Sequence, residues 1–317
     1  MKKASAVLRD KLAAGKTLVK PGAYDALSAI MMERAGFECV GISGYALSLS
    51  LLGKPDIGFT SLTQVVDACQ RISSAVSIPV IADADTGYGN AVNAMYTVEQ
   101  LIKAGAAGAH IEDQEFPKRC GHVSGKQIIS AEEMAGKIRA IARVRDELDP
   151  DFVVIARTDA RGIAGGTFED VIERSLRYVD AGADVIFPEG LTTIDELALA
   201  AEKIPVPLHY NRNGFGVSPL IPIQTLRELK IGLVSDATGS IRSVGEALWK
   251  HLSSLQERDA EYLAELVARL KPTHYGNTHK MSDKGMIHYL DLEKEFLPAE
   301  EQKKYDGSLG FSSGDKQ

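Results

Sequence analysis

Apolar positions in this chain fall into short runs, and a helical pattern ending in Ala-Gly precedes several of them. Three copies of the phrase stand out: MMERAGFECVGIS, LIKAGAAGAHIED and LRYVDAGADVIFPEG. Gly36, Gly105 and Gly182 lie where each helical pattern stops, the place of a left-handed C-terminal cap. Eight apolar runs read as strands, at about 18–21, 38–43, 78–83, 107–112, 152–157, 184–188, 206–210 and 231–235. Helical patterns over 24–35, 62–75, 95–104, 131–147, 168–181, 192–203 and 222–229 separate most of them. Helices alternating with buried strands imply parallel strands joined by crossovers. Eight such units over roughly 250 residues match an α/β fold of the (β/α)8 TIM-barrel type. A doubly wound open sheet is the competing architecture, but no GxGxxG turn follows the first strand.

Beyond Arg242 the pattern changes. Val244 to Leu270 reads as one long helix that Pro272 ends. A polar stretch, a charged helix near 290–304 and an end that reads as disordered follow. The expected division is a catalytic barrel over 1–250 and a C-terminal helical extension over 251–317. A long terminal helix of this kind suits docking on another subunit; packing on its own barrel is the alternative.

The balance of charge narrows the function classes. The chain has 317 residues, 44% of them hydrophobic, and a formal charge of −7. An acidic chain makes a poor nucleic-acid surface. No run approaches the roughly 18 apolar residues of a membrane span. Arg9, Asp10 and Lys11 interrupt the N-terminal apolar run, which argues against a secretory signal. Cys39, Cys69 and Cys120 are odd in number and unclustered, so a reducing compartment, the cytoplasm, is expected.

Polar residues gather at the expected C-terminal ends of the strands, where barrels of this class carry their chemistry. In order these are Ser43-Gly44-Tyr45, Asp83-Ala84-Asp85, Glu112-Asp113-Gln114, Arg157-Thr158-Asp159, Glu189 and Asn211-Arg212-Asn213. One acid after one strand is usually a helix cap; six polar strand ends are harder to explain that way. Asp83 and Asp85, two apart on a strand, should point to the same side. Two carboxylates so placed repel unless a cation lies between them. With Glu112 from the next strand they form a hard oxygen set suited to Mg2+ or Mn2+ rather than zinc. The bland reading has Asp85 capping a turn and Asp83 paired with a lysine. Arg157 suits a carboxylate through two parallel hydrogen bonds, or a salt bridge to Glu189 or Asp85. Ser43 and Gly44 offer backbone N–H groups to an anion, and Asn211 is a neutral donor.

The segment Lys118-Arg119-Cys120-Gly121-His122 is the most distinctive. Cations beside a cysteine favour its thiolate and make it useful as acid, base or nucleophile. A glycine-containing loop can carry such a group onto a substrate and shut out water. Cys39 and Cys69 fall inside strand and helix patterns and read as core. His110, inside the fourth strand, reads as a satisfied core histidine. His274, His279 and His288 show no zinc-binding spacing.

Several of these motifs, Asp83-Ala-Asp-Thr-Gly-Tyr-Gly, Glu112-Asp-Gln, Pro117-Lys-Arg-Cys-Gly-His, Ala156-Arg-Thr-Asp-Ala and Phe187-Pro-Glu, resemble the isocitrate lyase/phosphoenolpyruvate mutase superfamily. The resemblance covers roughly residues 5–250, and within that superfamily it is to the short lyases that cleave 2-methylisocitrate or 2,3-dimethylmalate. It implies a Mg2+-dependent barrel, commonly a homotetramer with C-terminal helices exchanged between subunits. It implies that Asp83 holds the metal directly while Asp56, Asp85 and Glu112 hold metal-bound waters. It also implies that Ser43, Gly44, Arg157 and the metal grip the α-keto-acid end. Three departures touch substrate recognition: Gly41 where a tyrosine is frequent, Gly214 where a glutamate is frequent, and Ser235-Asp236-Ala237 in place of a Tyr-Pro pair.

The expected activity is carbon–carbon cleavage of a 2-hydroxy di- or tricarboxylate to an α-keto acid such as pyruvate plus a carboxylate. Cys120 would be the general acid, acting with Arg157, His122 and Lys118. The substrate contacts would be Ser43, Gly44, Tyr45, Arg157, Gly121, His122, Glu189 and Asn211. The general base is open between Tyr45 and a metal-bound hydroxide. Three alternatives stand beside this activity: hydrolysis of oxaloacetate to oxalate and acetate, phosphonate P–C chemistry, and a silent metabolite-binding barrel.

Overall fold

A computed structural model describes residues 2–305, apart from 274, 277–280 and 283. The end expected to be disordered, and His274 and His279, lie outside the described residues. The chain divides into two compact units, with the boundary between Ser243 and Val244.

The first unit contains eight parallel strands: β1 (Leu18–Ala23), β2 (Val40–Ile42), β3 (Val80–Asp83), β4 (Gly108–Glu112), β5 (Val153–Thr158), β6 (Val185–Pro188), β7 (His209–Asn211) and β8 (Leu233–Asp236). Their order is β6-β5-β4-β3-β2-β1-β8-β7, and a parallel bridge between Ile186 and Leu208 joins the two ends. This is the expected (β/α)8 barrel. Helices α1 (Ala4–Ala13), α2 (Ala26–Arg34), α3 (Gly44–Leu52), α4 (Leu62–Ala75), α5 (Ala91–Lys103), α6 (Ala131–Leu148), α7 (Phe168–Asp180), α8 (Ile194–Lys203) and α9 (Ile223–Glu228) accompany the strands. Gly36, Gly105 and Gly182 all take positive φ, at 89°, 90° and 107°, as the Ala-Gly phrase predicts.

Alternation along each strand builds two cores. Val40, Ile42, Val80, Ala82, Ala109, Ile111, Val154 and Ala156 face the helices in the larger apolar cluster. Leu18, Cys39, Ile81, Val153, Ile155, Val185, Phe187 and Leu233 fill the barrel interior. The inward positions further along the strands are polar, so the barrel floor is oil and its mouth is charged.

Two elements depart from the sequence reading. Helix α3 starts directly at the end of β2, with Ser43 as its N-cap accepting from Ala46 N. The long C-terminal helix begins earlier than expected, running as α10 (Gly239–Leu270), and it is broken at Asp259, whose φ is 42°. Helices α11 (Met286–Phe296) and α12 (Ala299–Gln302) follow in the second unit. Among the described residues no helix is long and apolar enough to cross a membrane.

Candidate active site

The C-terminal ends of the strands open into one cavity. Inward-facing residues line it, including Ser43, Asp83, Glu112, Arg157, Glu189 and Asn211 from six different strand ends. Tyr45, Asp56 and the whole segment 118–122 line it as well. Of the expected site residues, Asp85 alone is absent from the lining.

Asp85 corrects the strand-face argument. The strand ends at Asp83, and Asp85 takes a positive φ of 46°, so the two carboxylates are not related by a pleat. Asp83 Oδ1 instead accepts from Asp85 N at 3.1 Å, and its Oδ2 from Gly44 N at 3.3 Å. Lys118 Nζ stands between Asp56 and Asp85, at 2.6 and 2.8 Å. The lysine of the bland reading therefore serves Asp85 and Asp56 rather than Asp83.

Burial pushes the Asp85 carboxyl up to about 6, against the attraction of Lys118. Burial also opposes ionisation of Asp83, but His110, Lys118 and Arg157 outweigh it and hold that carboxyl at about 2. Glu112 is pushed well up by burial, and its Oε1 is buried without a hydrogen-bond partner.

Among the described residues no three His, Cys, Asp or Glu side chains are gathered closely enough to hold a metal ion by themselves. The donor chemistry nonetheless fits a hard divalent cation. Asp83 and Glu112 are carboxylates facing one cavity, one strongly ionised and the other carrying an orphaned oxygen. A cation held by one carboxylate and by waters needs no cluster of three.

Arg157 is fixed by a neighbour the sequence reading left without a role. Asp159 takes it bidentately, Nε to Oδ2 at 2.9 Å and Nη2 to Oδ1 at 3.0 Å. Glu112 lies 3.4 Å from Nε and Glu189 3.6 Å from Nη2, so the expected pairing is with Glu189 and not Asp85. These contacts use Nε and Nη2, leaving Nη1 for a ligand. Asp159 is itself held from below, where its N–H donates to Asp113 Oδ1 at 2.9 Å. Tyr178 and Arg174 fix the other oxygen of Asp113, at 2.8 and 3.1 Å.

The loop after β4 lies closed on this site. The Gln114 side chain clamps Arg119, accepting from its N and donating to its carbonyl, both at 2.9 Å. Cys120 N donates to Asp56 O at 3.2 Å. Gly121 passes so close to Arg157 that an added Cβ would overlap its guanidinium. Lys126 donates both to the Gly121 carbonyl and to Asp159 Oδ1. His122 Nε2 lies 3.1 Å from Asn211 Nδ2, which also donates to Glu189 Oε2 at 3.0 Å. An added Cβ on Gly216 would meet the His122 ring, so the segment after β7 packs over the loop.

Several sequence expectations change here. Cys120 is not poised as a thiolate: burial pushes its thiol above the ordinary value, against a hydrogen bond from the His122 backbone. Lys118, two residues before it, is engaged with Asp56 and Asp85. The N–H of Ser43 is not free for a ligand, because it donates to Ala23 O at 3.0 Å. The N–H of Gly44 is likewise taken by Asp83. His110 is not a satisfied core residue: its Nδ1 is buried without a hydrogen bond, 3.5 Å from Asp83 Oδ1. Burial lowers that imidazole to about 3. Asp236 caps α10, accepting from Gly239 N at 3.0 Å. Of the three departures from the resemblance, Gly41 and the residues flanking Asp236 line the cavity, whereas Gly214 does not. Lys20, Phe187 and His209 also line it and were not anticipated; their signal was an inward alternation on β1, β6 and β7.

The phosphoenolpyruvate phosphomutase family matches residues 8–255. A 2,3-dimethylmalate lyase of Eubacterium barkeri is 41% identical over 255 residues, covering 80% of this chain and 87% of that protein. A 2-methylisocitrate lyase of Aeropyrum pernix is 40% identical over 255 residues, 80% of each chain. Among solved structures, an oxaloacetate acetylhydrolase in complex with 3,3-difluorooxalacetate superposes with a TM-score of 0.78 at 35% identity, over 81% of this chain and 88% of that one. A phosphonopyruvate hydrolase in complex with oxalate and Mg2+ superposes with a TM-score of 0.82 at 31% identity, over 94% and 100%.

Proposed function

This chain belongs to the phosphoenolpyruvate phosphomutase family, and from that premise we propose that it is a carbon–carbon lyase dependent on Mg2+ or Mn2+. Its substrate would be a 2-hydroxy di- or tricarboxylate of the 2-methylisocitrate or 2,3-dimethylmalate type. The products would be an α-keto acid such as pyruvate and a second carboxylate. The observation that carries the reading is Cys120, a protonated thiol on a closed loop over an acid-lined cavity.

Asp83 would hold the cation directly, with Asp56, Asp85 and Glu112 on its water ligands. When bound, such an ion supplies positive charge to the oxygens of the keto acid. Arg157, aimed by Asp159, grips the adjacent carboxylate through Nη1. The hydroxyl proton would pass to a base in the cavity, for which Tyr45 is this chain's candidate. The O–H pair becomes the new carbonyl, the carbon–carbon bond breaks, and its electron pair stays on the departing carbon as a carboxylate-stabilised enolate. Cys120 gives its proton to that carbon, forming a C–H bond and leaving a thiolate. A raised thiol suits this task, because a general acid must still carry its proton at working pH. The closed loop, with Gly121 against Arg157 and His122 against Asn211, excludes water that would otherwise protonate the enolate.

The test is a panel. The protein, with Mg2+ added, is incubated with methylisocitrate, dimethylmalate, citramalate, isocitrate and oxaloacetate, and released keto acid is measured. We expect turnover of at least one 2-hydroxy acid and its abolition by EDTA. Full activity after chelation would remove the metal from the scheme. A second reading, hydrolysis of oxaloacetate, draws support from the 35% identity to the acetylhydrolase. Oxalate and acetate as products would favour it.

A homotetramer in the cytoplasm belongs to the same proposal. Three free cysteines suit that compartment. Helix α10 buries none of its side chains, and Leu248, Trp249 and Leu252 are at least half exposed. Sedimentation velocity should give a species of four chains, and a monomer at micromolar concentration would rule that assembly out.

A further inference from the structure

We propose that Lys20 is a substrate-contacting residue of this site, its amino group donating to an anionic oxygen of the bound acid in the space that glycine at position 41 leaves open. The inference rests on the lyase reading only for the kind of acid bound; the geometry stands apart from it.

Lys20 lies on β1 with Leu18 two residues before it on the same inward face. It lines the cavity and is 4% exposed. Its side chain runs across the neighbouring strand at Gly41. A Cβ built on Gly41 would lie 2.9 Å from Lys20 Cδ and 3.0 Å from Nζ. The long amine thus occupies ground that a side chain at position 41 would otherwise fill, and the glycine is what admits it.

No hydrogen bond or ion pair to Lys20 Nζ exists among the described residues, and the two nearby rings with an unpartnered Nδ1, His110 and His209, are held neutral by burial and supply no countercharge. Ser235, its register partner on β8, is hydrogen-bonded to His209 Nε2. Asp83 exerts a long-range attraction on Lys20 but accepts from Asp85 N and Gly44 N and faces His110. Arg157 repels it, and the inward neighbours beneath are apolar. Burying an ammonium without a partner is strongly unfavourable. A protein keeps such a group where a ligand supplies the missing charge, as functional sites do. Burial brings this amine down only to about 8, so most of it carries a proton at neutral pH. The complementary ligand group is therefore an anionic oxygen, and the acids of the proposed reaction provide one.

The experiment measures oxalate binding in Mg2+ by isothermal titration calorimetry, together with Tm in the absence of oxalate. Lys20→Met keeps the length and removes the charge. We expect oxalate binding to weaken about 10- to 100-fold, the span of a hydrogen bond to a charged group. Tm should be unchanged or higher, because an uncompensated buried charge is gone. Gly41→Ala keeps the charge but displaces the Lys20 stem, and it too should weaken oxalate. If Lys20→Met does not fold, Gly41→Ala decides. Oxalate affinity unchanged in Lys20→Met, or in Gly41→Ala where Lys20→Met does not fold, would overturn the proposal, as would a wild type that binds no oxalate at all. Oxalate binding that depends on Lys20, found without turnover of any acid in the panel, would sink the lyase reading and leave this inference standing.

Discussion

Cys120→Ser should lower kcat at least ~100-fold, the scale of a lost general acid, with little change in fold or in cation binding. Serine is nearly the same size, so the loop can still close. Its hydroxyl is a far weaker acid than the thiol and cannot deliver a proton to the enolate at a useful rate. Burial holds the thiol above its ordinary value, so it carries its proton at neutral pH and is available as a donor rather than as a thiolate nucleophile. The check is steady-state kinetics on whichever acid the panel identifies, with a melting curve alongside. Turnover within a few-fold of wild type would end the role of Cys120, even if the lyase activity itself stood.

Arg157→Met should destabilise the protein by about 3–5 kcal/mol at pH 7, the cost of removing one partner from a buried ionic cluster. Asp159, Glu112 and Glu189 all face this guanidinium within 3.6 Å. Lys126 reaches Asp159 alone. The variant would leave Glu189 and Glu112 buried without their ion-pair partner, Glu112 with only the more distant Lys118, and Asp159 half-served. The deficit should shrink as pH falls, because protonation relieves an uncompensated carboxylate whose pKa has risen. Urea unfolding at pH 7 and pH 5 measures both effects. A loss below about 1 kcal/mol at pH 7 would mean the cluster is less coupled than its geometry implies.

The barrel was legible because every strand is a short apolar run and three of them follow an Ala-Gly helix stop, and both signals are local. Helix α3 was not, because it follows Ser43 with no intervening loop and its sequence, GYALSLSLL, has neither a charge pattern nor a helix breaker. The polar strand ends pointed to the right mouth, and Arg157, Glu112, Glu189 and Asn211 all reach the cavity. What they pair with was not legible. The partnership of Arg157 with Asp159 depends on the chain bending just after β5. The separation of Asp83 from Asp85 depends on a positive φ that no residue type there demands. Lys20 was missed for a simpler reason: the expected strand at 18–21 contained it, but candidate chemistry was confined to the strand ends, and β1 runs on to Ala23 with Lys20 in its middle.

Asp159 serves two masters. One of its oxygens aims Arg157, and through Lys126 the same oxygen reaches the carbonyl of Gly121 on the loop that carries Cys120. In the proposed reaction, a loop that withdrew would take from Lys126 one of its two acceptors, so delivery of the Cys120 thiol and alignment of the Arg157 clamp would be one event rather than two. Release of product would then follow from the same motion that ends protection of the enolate, and the cycle would take its order without any separate signal.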